Sequence, residues 1–160
     1  MPAVPFIKMH GAGNDFVIID CRAEDFKLTK ADIQEICNRH KGVGCDQLVL
    51  LKYSEHADIK VEFYNGDGSQ SGACGNASRC VAFLINPLPV GEGRVMVAEN
   101  DKRPLTPTLS HEERGIVTIE TGGGILECFD TGEVLDSGEE LITVNMGAAK
   151  YGWQDIPLAK

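Results

Sequence analysis

The chain has 160 residues, 42% of them hydrophobic, and a formal net charge of −9. That is enough apolar content for the core of one domain or one lobe, while the acidic balance excludes nucleic acid or an anionic membrane as a partner, since both demand clustered Lys and Arg. The first ten residues hold two prolines and no cleavable signal, and no apolar run approaches a membrane span. A cytoplasmic location is therefore expected. With it come free thiols at Cys21, Cys37, Cys45, Cys74, Cys80 and Cys128 instead of a disulfide set.

In chain order, residues 4–9 and 16–20 read as short strands around a glycine turn, His10-Gly11-Ala12-Gly13-Asn14-Asp15. Thr29 is a good N-cap for a helix over about 30–40, with Ile33, Ile36 and Cys37 on one face and Lys41-Gly42 ending it. Strands are predicted over 48–52 and over 60–65, where Val61 and Phe63 alternate with Glu62 and Tyr64. Turn chemistry fills 65–72. From Cys74 to Ile85 the pattern is helical, with Val81, Leu84 and Ile85 at core spacing. Residues 86–115 hold four of the seven prolines and follow neither a period of two nor one of 3.6. They read as an irregular insertion, whose texture resembles translated palindromic repeat elements. No catalytic residue is expected there, His111 included. Strands resume over 116–121, 125–129 and 141–147, with 130–140 as a hairpin-like connection. The pattern predicts an α+β lobe with a mostly antiparallel sheet.

Three segments read better as a site than as scaffold. Around Asn14 and around Gln47, glycines permit cramped backbone that brings an amide side chain up to a ligand. Each is also compatible with an ordinary turn. The third runs from Asn65 through Cys74-Gly75-Asn76. A helix starting just after Cys74 would place that thiol at its positive end, where a thiolate is favoured, and would leave the Gly75 and Asn76 N–H groups free for a carboxylate. The competing reading is a cysteine buried at a loop–helix junction. For the other five cysteines burial is the preferred reading. Cys74 and Cys80 lack zinc-ligand spacing, and the GxG fragments lack the full dinucleotide fingerprint and the phosphate-loop lysine. No metal is expected.

Taken together, KMHGAGNDFVIID (8–20), NRHKGVGCDQLVLL (38–51), FYNGDGSQSGACGNASRCVAFLI (63–85) and ITVNMGAAKYGWQDIPL (142–158) resemble diaminopimelate epimerase, in that family's order and spacing. One departure is Ala77-Ser78, where many relatives have Gly-Ala. The resemblance implies the family's amino-terminal lobe, a sheet curled around a central helix, spanning 1–160 with the insertion within it. It implies a small-molecule substrate, LL-2,6-diaminopimelate, epimerised to the meso form without pyridoxal phosphate or any other cofactor, in lysine and peptidoglycan precursor biosynthesis. Cys74 corresponds to one of two catalytic cysteines. Asn14, Gln47, Asn65, Gly75 and Asn76 correspond to substrate contacts.

A two-base exchange needs a second cysteine across the substrate, which in the family comes from a carboxy-terminal lobe absent here. Cys80 lies roughly two turns, ~9 Å by helix rise, along the helix of Cys74 and cannot face the opposite side of one α-carbon. Little activity is expected of this chain alone. The open alternatives are half of a split enzyme, a non-enzymatic remnant lobe, and an isomerase of the same fold with another substrate. A separate carboxy-terminal lobe and a homodimer are the protein partners these readings raise.

Overall fold

The computed structural model describes residues 4–85, 116–136 and 140–148. The expectations for the 86–115 insertion, and for 149–160, fall outside them.

The chain opens with strands β1 (Ile7–Gly11) and β2 (Asn14–Asp20), paired antiparallel with Gly11 opposite Asn14. The turn is tighter than the sequence implies: His10, Gly11, Asn14 and Asp15 all belong to strands, and Ala12-Gly13 alone make the loop. Both have positive φ, 50° and 89°. A two-residue hairpin requires this because such a turn matches the strand twist. Helix α1 (Lys30–Cys37) starts at Thr29, whose hydroxyl accepts from the Asp32 N–H while Asp32 accepts from the Thr29 N–H. This reciprocal capping satisfies two otherwise orphaned donors.

The helix ends at Cys37, short of the expected Lys41-Gly42. Asn38 is extended, and its side-chain oxygen accepts from the His40 and Lys41 N–H groups, replacing a further helical turn. Gly42 then crosses the last turn so closely that a Cβ there would overlap the Glu35 carbonyl oxygen. Its small size, not a helix-stop conformation, is what the fold uses.

Strands β3 (Gln47–Lys52), β4 (Ile59–Asn65) and the two-residue β5 (Gln70–Ser71) follow, then helix α2 (Gly75–Ile85). Beyond residue 115 come β6 (Ile116–Thr121), β7 (Gly124–Val134) and β8 (Glu140–Asn145). β7 is longer than expected because 130–134 continue the strand past an irregularity in its pairing with β8. All eight strands form one sheet in the order β1-β2-β3-β4-β6-β7-β8, with β5 paired to β4. The β2–β3 and β4–β6 pairings are parallel and the rest antiparallel.

β2 and β3 read as unbroken apolar runs because both of their faces are buried. Phe16, Ile18, Val49 and Leu51 point toward α2, while Val17, Ile19, Leu48 and Leu50 point toward α1. β4 turns Ile59, Val61 and Phe63 toward α2. From its own side α2 contributes Ala77, Cys80, Val81, Ala82 and Ile85. Leu84, expected in the core, is only partly buried at its margin. α2 touches β1 and β8, the two ends of the strand order, so the sheet curls around it. This is the expected α+β lobe with a largely antiparallel sheet around a helix.

Candidate functional site

The parallel pairing of β2 and β3 puts both strand starts at one edge, and the antiparallel β4 brings its end there. Gln47 stands opposite Phe16 on one side and Asn65 on the other. Asn14, Gln47 and Asn65, far apart in sequence, thus gather at the same end of three neighbouring strands. Gln47 donates to the Asn65 side-chain oxygen at 2.8 Å, and Asn65 donates in turn to the Ser69 hydroxyl at 3.0 Å. That chain leaves the Gln47 Oε1 buried without a partner. A buried acceptor without a donor is costly, and a ligand donor at this spot would satisfy it.

α2 joins the same edge. Asn76 donates to the Asn14 side-chain oxygen at 3.0 Å and accepts from Arg79, one turn on, at 2.6 Å. Arg79 also donates to the Ile142 carbonyl. Gly11 lies against this first turn, and a Cβ on it would come within 2.9 Å of the Asn76 carbonyl oxygen. Cys74 is half-buried immediately before the helix. Its carbonyl accepts from both the backbone N–H and the hydroxyl of Ser78, each at 2.9 Å. Ser78 is fully buried, so its hydroxyl needs this bond, and the small Ala77-Ser78 pair fits the close packing. The N–H groups of the first turn, Gly75 and Asn76 among them, have no intrahelical partner.

The other cysteines differ. Cys21, Cys37, Cys45, Cys80 and Cys128 are all buried. Burial pushes the Cys80 and Cys128 thiols up to about 11, with the neighbouring Cys74 adding to the rise at Cys80. Burial and then contact with Cys45, sulfur to sulfur at 3.4 Å, push Cys37 up to about 12. Such thiols stay protonated near neutrality. Among the described residues no group of His, Cys, Asp and Glu is arranged to hold a metal, and no helix is long and apolar enough to cross a membrane.

Sequence reasoning missed Ser69, which accepts from Asn65, and Arg79, which grips Asn76. The three-residue spacing from Asn76 to Arg79 on a helix was the available signal. A groove of about 860 Å³ runs beside β1, α2 and β8 past Met9, Arg79 and Phe83. Arg79 joins it to the site through Asn76, while Cys74 and the amides expected from the sequence do not line it.

The diaminopimelate epimerase family model matches residues 6–152. The chain is 43% identical to the diaminopimelate epimerase of Acidiphilium cryptum over 99% of its own length and 47% of the relative's. It is 43% identical to that of Rhodospirillum centenum over 96% and 44%. It thus spans about half the length of the curated relatives it matches. Among solved structures it resembles a phenazine biosynthesis protein of the PhzF family from Bacillus anthracis, with TM-score 0.54 and 23% identity over 89% of this chain and 40% of that one. A hydroxyproline epimerase from Agrobacterium vitis gives TM-score 0.52 and 14% identity over 87% and 40%. At those identities the likeness is one of fold. With residues 6–152 matched by the family model, this chain belongs to the diaminopimelate epimerase family.

Proposed function

We propose that this chain supplies one of the two proton-transfer groups, and most of the substrate-holding amides, of a diaminopimelate epimerase that converts LL-2,6-diaminopimelate to the meso form. The observation that supports this reading is the joining of Asn14 to Asn76 by a hydrogen bond, two residues beyond the half-buried Cys74. That bond connects the amide-rich strand edge to the start of the helix that follows the thiol.

The α-hydrogen of an amino acid is a very weak acid, so its removal needs a base held against one face and a donor held against the other. Cys74, as thiolate, takes the proton from the α-carbon and becomes a thiol. The electron pair left behind spreads into the substrate carboxylate, which the Gly75 and Asn76 N–H groups at the start of α2 hold and stabilise. A second thiol then returns a proton to the opposite face, inverting the centre. In the reverse direction Cys74 is the donor. Asn14, Gln47 and Asn65 orient the substrate, with the unpartnered Gln47 Oε1 available to a substrate N–H. No pyridoxal cofactor enters the scheme, and the reaction belongs to cytoplasmic lysine and peptidoglycan precursor synthesis.

Cys80 is not the second thiol: it is buried, on the same helix as Cys74, and strongly protonated. All six cysteines of the sequence lie among the described residues, so the second thiol is assigned to a separate carboxy-terminal lobe, and the chain by itself is a poor catalyst. The test is incorporation of deuterium at the α-carbon of diaminopimelate in D₂O, with this chain alone and with the carboxy-terminal half of a relative added. Exchange is expected in the combined sample and should fall on the order of 10²–10⁴-fold in Cys74→Ala, while Cys80→Ala retains it. Absence of exchange in every combination would mark the chain as a non-enzymatic lobe.

A further inference from the structure

We infer that Arg39, not among the site residues expected from the sequence, is a positioning residue that holds the two amide-bearing strand starts of the site in register by clamping Asp15 to Asp46. This deepens the proposed function and rests on its choice of Asn14 and Gln47 as ligand contacts.

The β2–β3 ladder begins at Phe16 opposite Gln47. Toward the site the sheet no longer pairs these strands residue by residue, yet Asn14 and the approach to Gln47 lie there. The connection is carried instead by two carboxylates facing each other. The Asp46 N–H donates to the Asp15 backbone carbonyl and to its Oδ1, both at 3.0 Å, and the Asp15 N–H donates to Asp46 Oδ2 at 3.2 Å. Two anions so placed would repel and part the loops.

Arg39 removes that conflict. Its Nη1 donates to Asp15 Oδ2 at 3.0 Å, and its Nη2 donates to Asp15 Oδ1 at 2.6 Å and to Asp46 Oδ1 at 2.7 Å. Lys8 supplies the second positive charge, bonding Asp15 Oδ2 at 2.8 Å and also the Gly44 carbonyl. Two cations thus balance two anions.

Asn14 directly precedes one clamped residue and Gln47 directly follows the other, so each amide is one peptide bond from the fork. The loop is fitted to this arginine: Gly44 has φ +77°, and a Cβ there would come within 2.9 Å of the Arg39 Cα. A planar fork spans two carboxylates in a way a single ammonium does not. A lone exposed ion pair contributes little, but here one guanidinium spans three acceptors within a network.

The test reads the Asn14 and Gln47 side-chain amide signals by ¹⁵N NMR in the intact chain, together with their response to LL-2,6-diaminopimelate. Arg39→Ala should shift and broaden both signals and weaken the ligand response roughly tenfold. Arg39→Lys should fall between, and added guanidinium should restore the Arg39→Ala signals, because the Arg39 side chain is 54% exposed. Lys60→Ala, which breaks the comparable Lys60–Glu120 pair at 3.0 Å, should leave both amides unmoved.

Unchanged amides and ligand response in a cooperatively folded Arg39→Ala protein would overturn the inference, as would equal changes in Lys60→Ala. Should Arg39→Ala fail to fold, Arg39→Lys decides by the same signals. A wild-type chain that ignores diaminopimelate both alone and with the carboxy-terminal half of a relative added, while its amides still depend on Arg39, would refute the proposed substrate and leave the clamp standing.

Discussion

At the scale of single residues, the site depends on how each polar group is held. Asp15 is the clearest case. The Arg39 guanidinium, helped by Lys8 and the Asp46 N–H, keeps its carboxyl well below the usual carboxylate range. A carboxyl depressed in the folded state stabilises the fold at pH values above its unfolded value, about 3.9. That contribution disappears as pH falls through the acid range toward the folded value. Melting curves taken from about pH 6 to about pH 2.5 should therefore fall more steeply for the wild type than for Asp15→Asn. Equal slopes would show that the Arg39 contact contributes nothing to stability. Asp32, Asp67 and Glu120 are also depressed by hydrogen bonds, so part of the acid sensitivity will remain in the variant.

At the scale of elements, short segments are secured by local chemistry and by a few cross-links. α1 has eight residues, too few for stability by propensity alone. Its reciprocal cap and its packing through Ile33 and Cys37 carry it. Thr29→Ala should cost about 1 kcal/mol, read as a lowered urea midpoint with unchanged slope. The junction between β4 and β6 is narrower still, with only Ile59 opposite Ile119 and Lys60 opposite Glu120 in register. Asp58 reinforces it: its carboxylate accepts from the Thr118 N–H at 2.7 Å and from the Thr118 hydroxyl at 2.6 Å. Asp58→Ala strips those bonds and should cost roughly 1–3 kcal/mol. Hydrogen exchange should then quicken in β6 and β7 before β2 and β3.

At the scale of the whole molecule, α2 is the axle around which the sheet curls, and it also presents Cys74. Stability and site geometry are therefore linked through the same packing. Phe63, fully buried against the α2 side of the sheet, is the most direct probe. Phe63→Ala should cost roughly 3–5 kcal/mol, a large share of the roughly 5–15 kcal/mol typical of a domain. Gly11→Ala tests the coupling more finely. A Cβ there would meet the Asn76 carbonyl oxygen at 2.9 Å and the Cys80 sulfur at 3.2 Å. It should push the start of α2 outward, costing about 1–3 kcal/mol by overpacking. It should also weaken the response of the Asn76 side-chain amide to diaminopimelate in NMR titration more than a thermal shift of that size explains.

The amino-acid order alone determined most of the local structure. The apolar runs of β2 and β3, the alternation of β4, the Thr29 cap and the helical spacing after Cys74 are each a short-range pattern with a short-range cause. The family resemblance was legible too, since its strings are contiguous. What the sequence could not specify was which polar groups meet. Arg39 and Asp15 are separated by 24 residues, Asn14 and Asn76 by 62, and no local rule pairs an exposed-looking arginine with one aspartate among many acids. The early end of α1 likewise came from the Asn38 side chain capturing two N–H groups, a choice settled by the returning loop at Gly42. Only the curled sheet, by bringing three strand ends and a helix start to one edge, decided those partnerships, because side-chain hydrogen bonds form where tertiary packing puts donor and acceptor within about 3 Å.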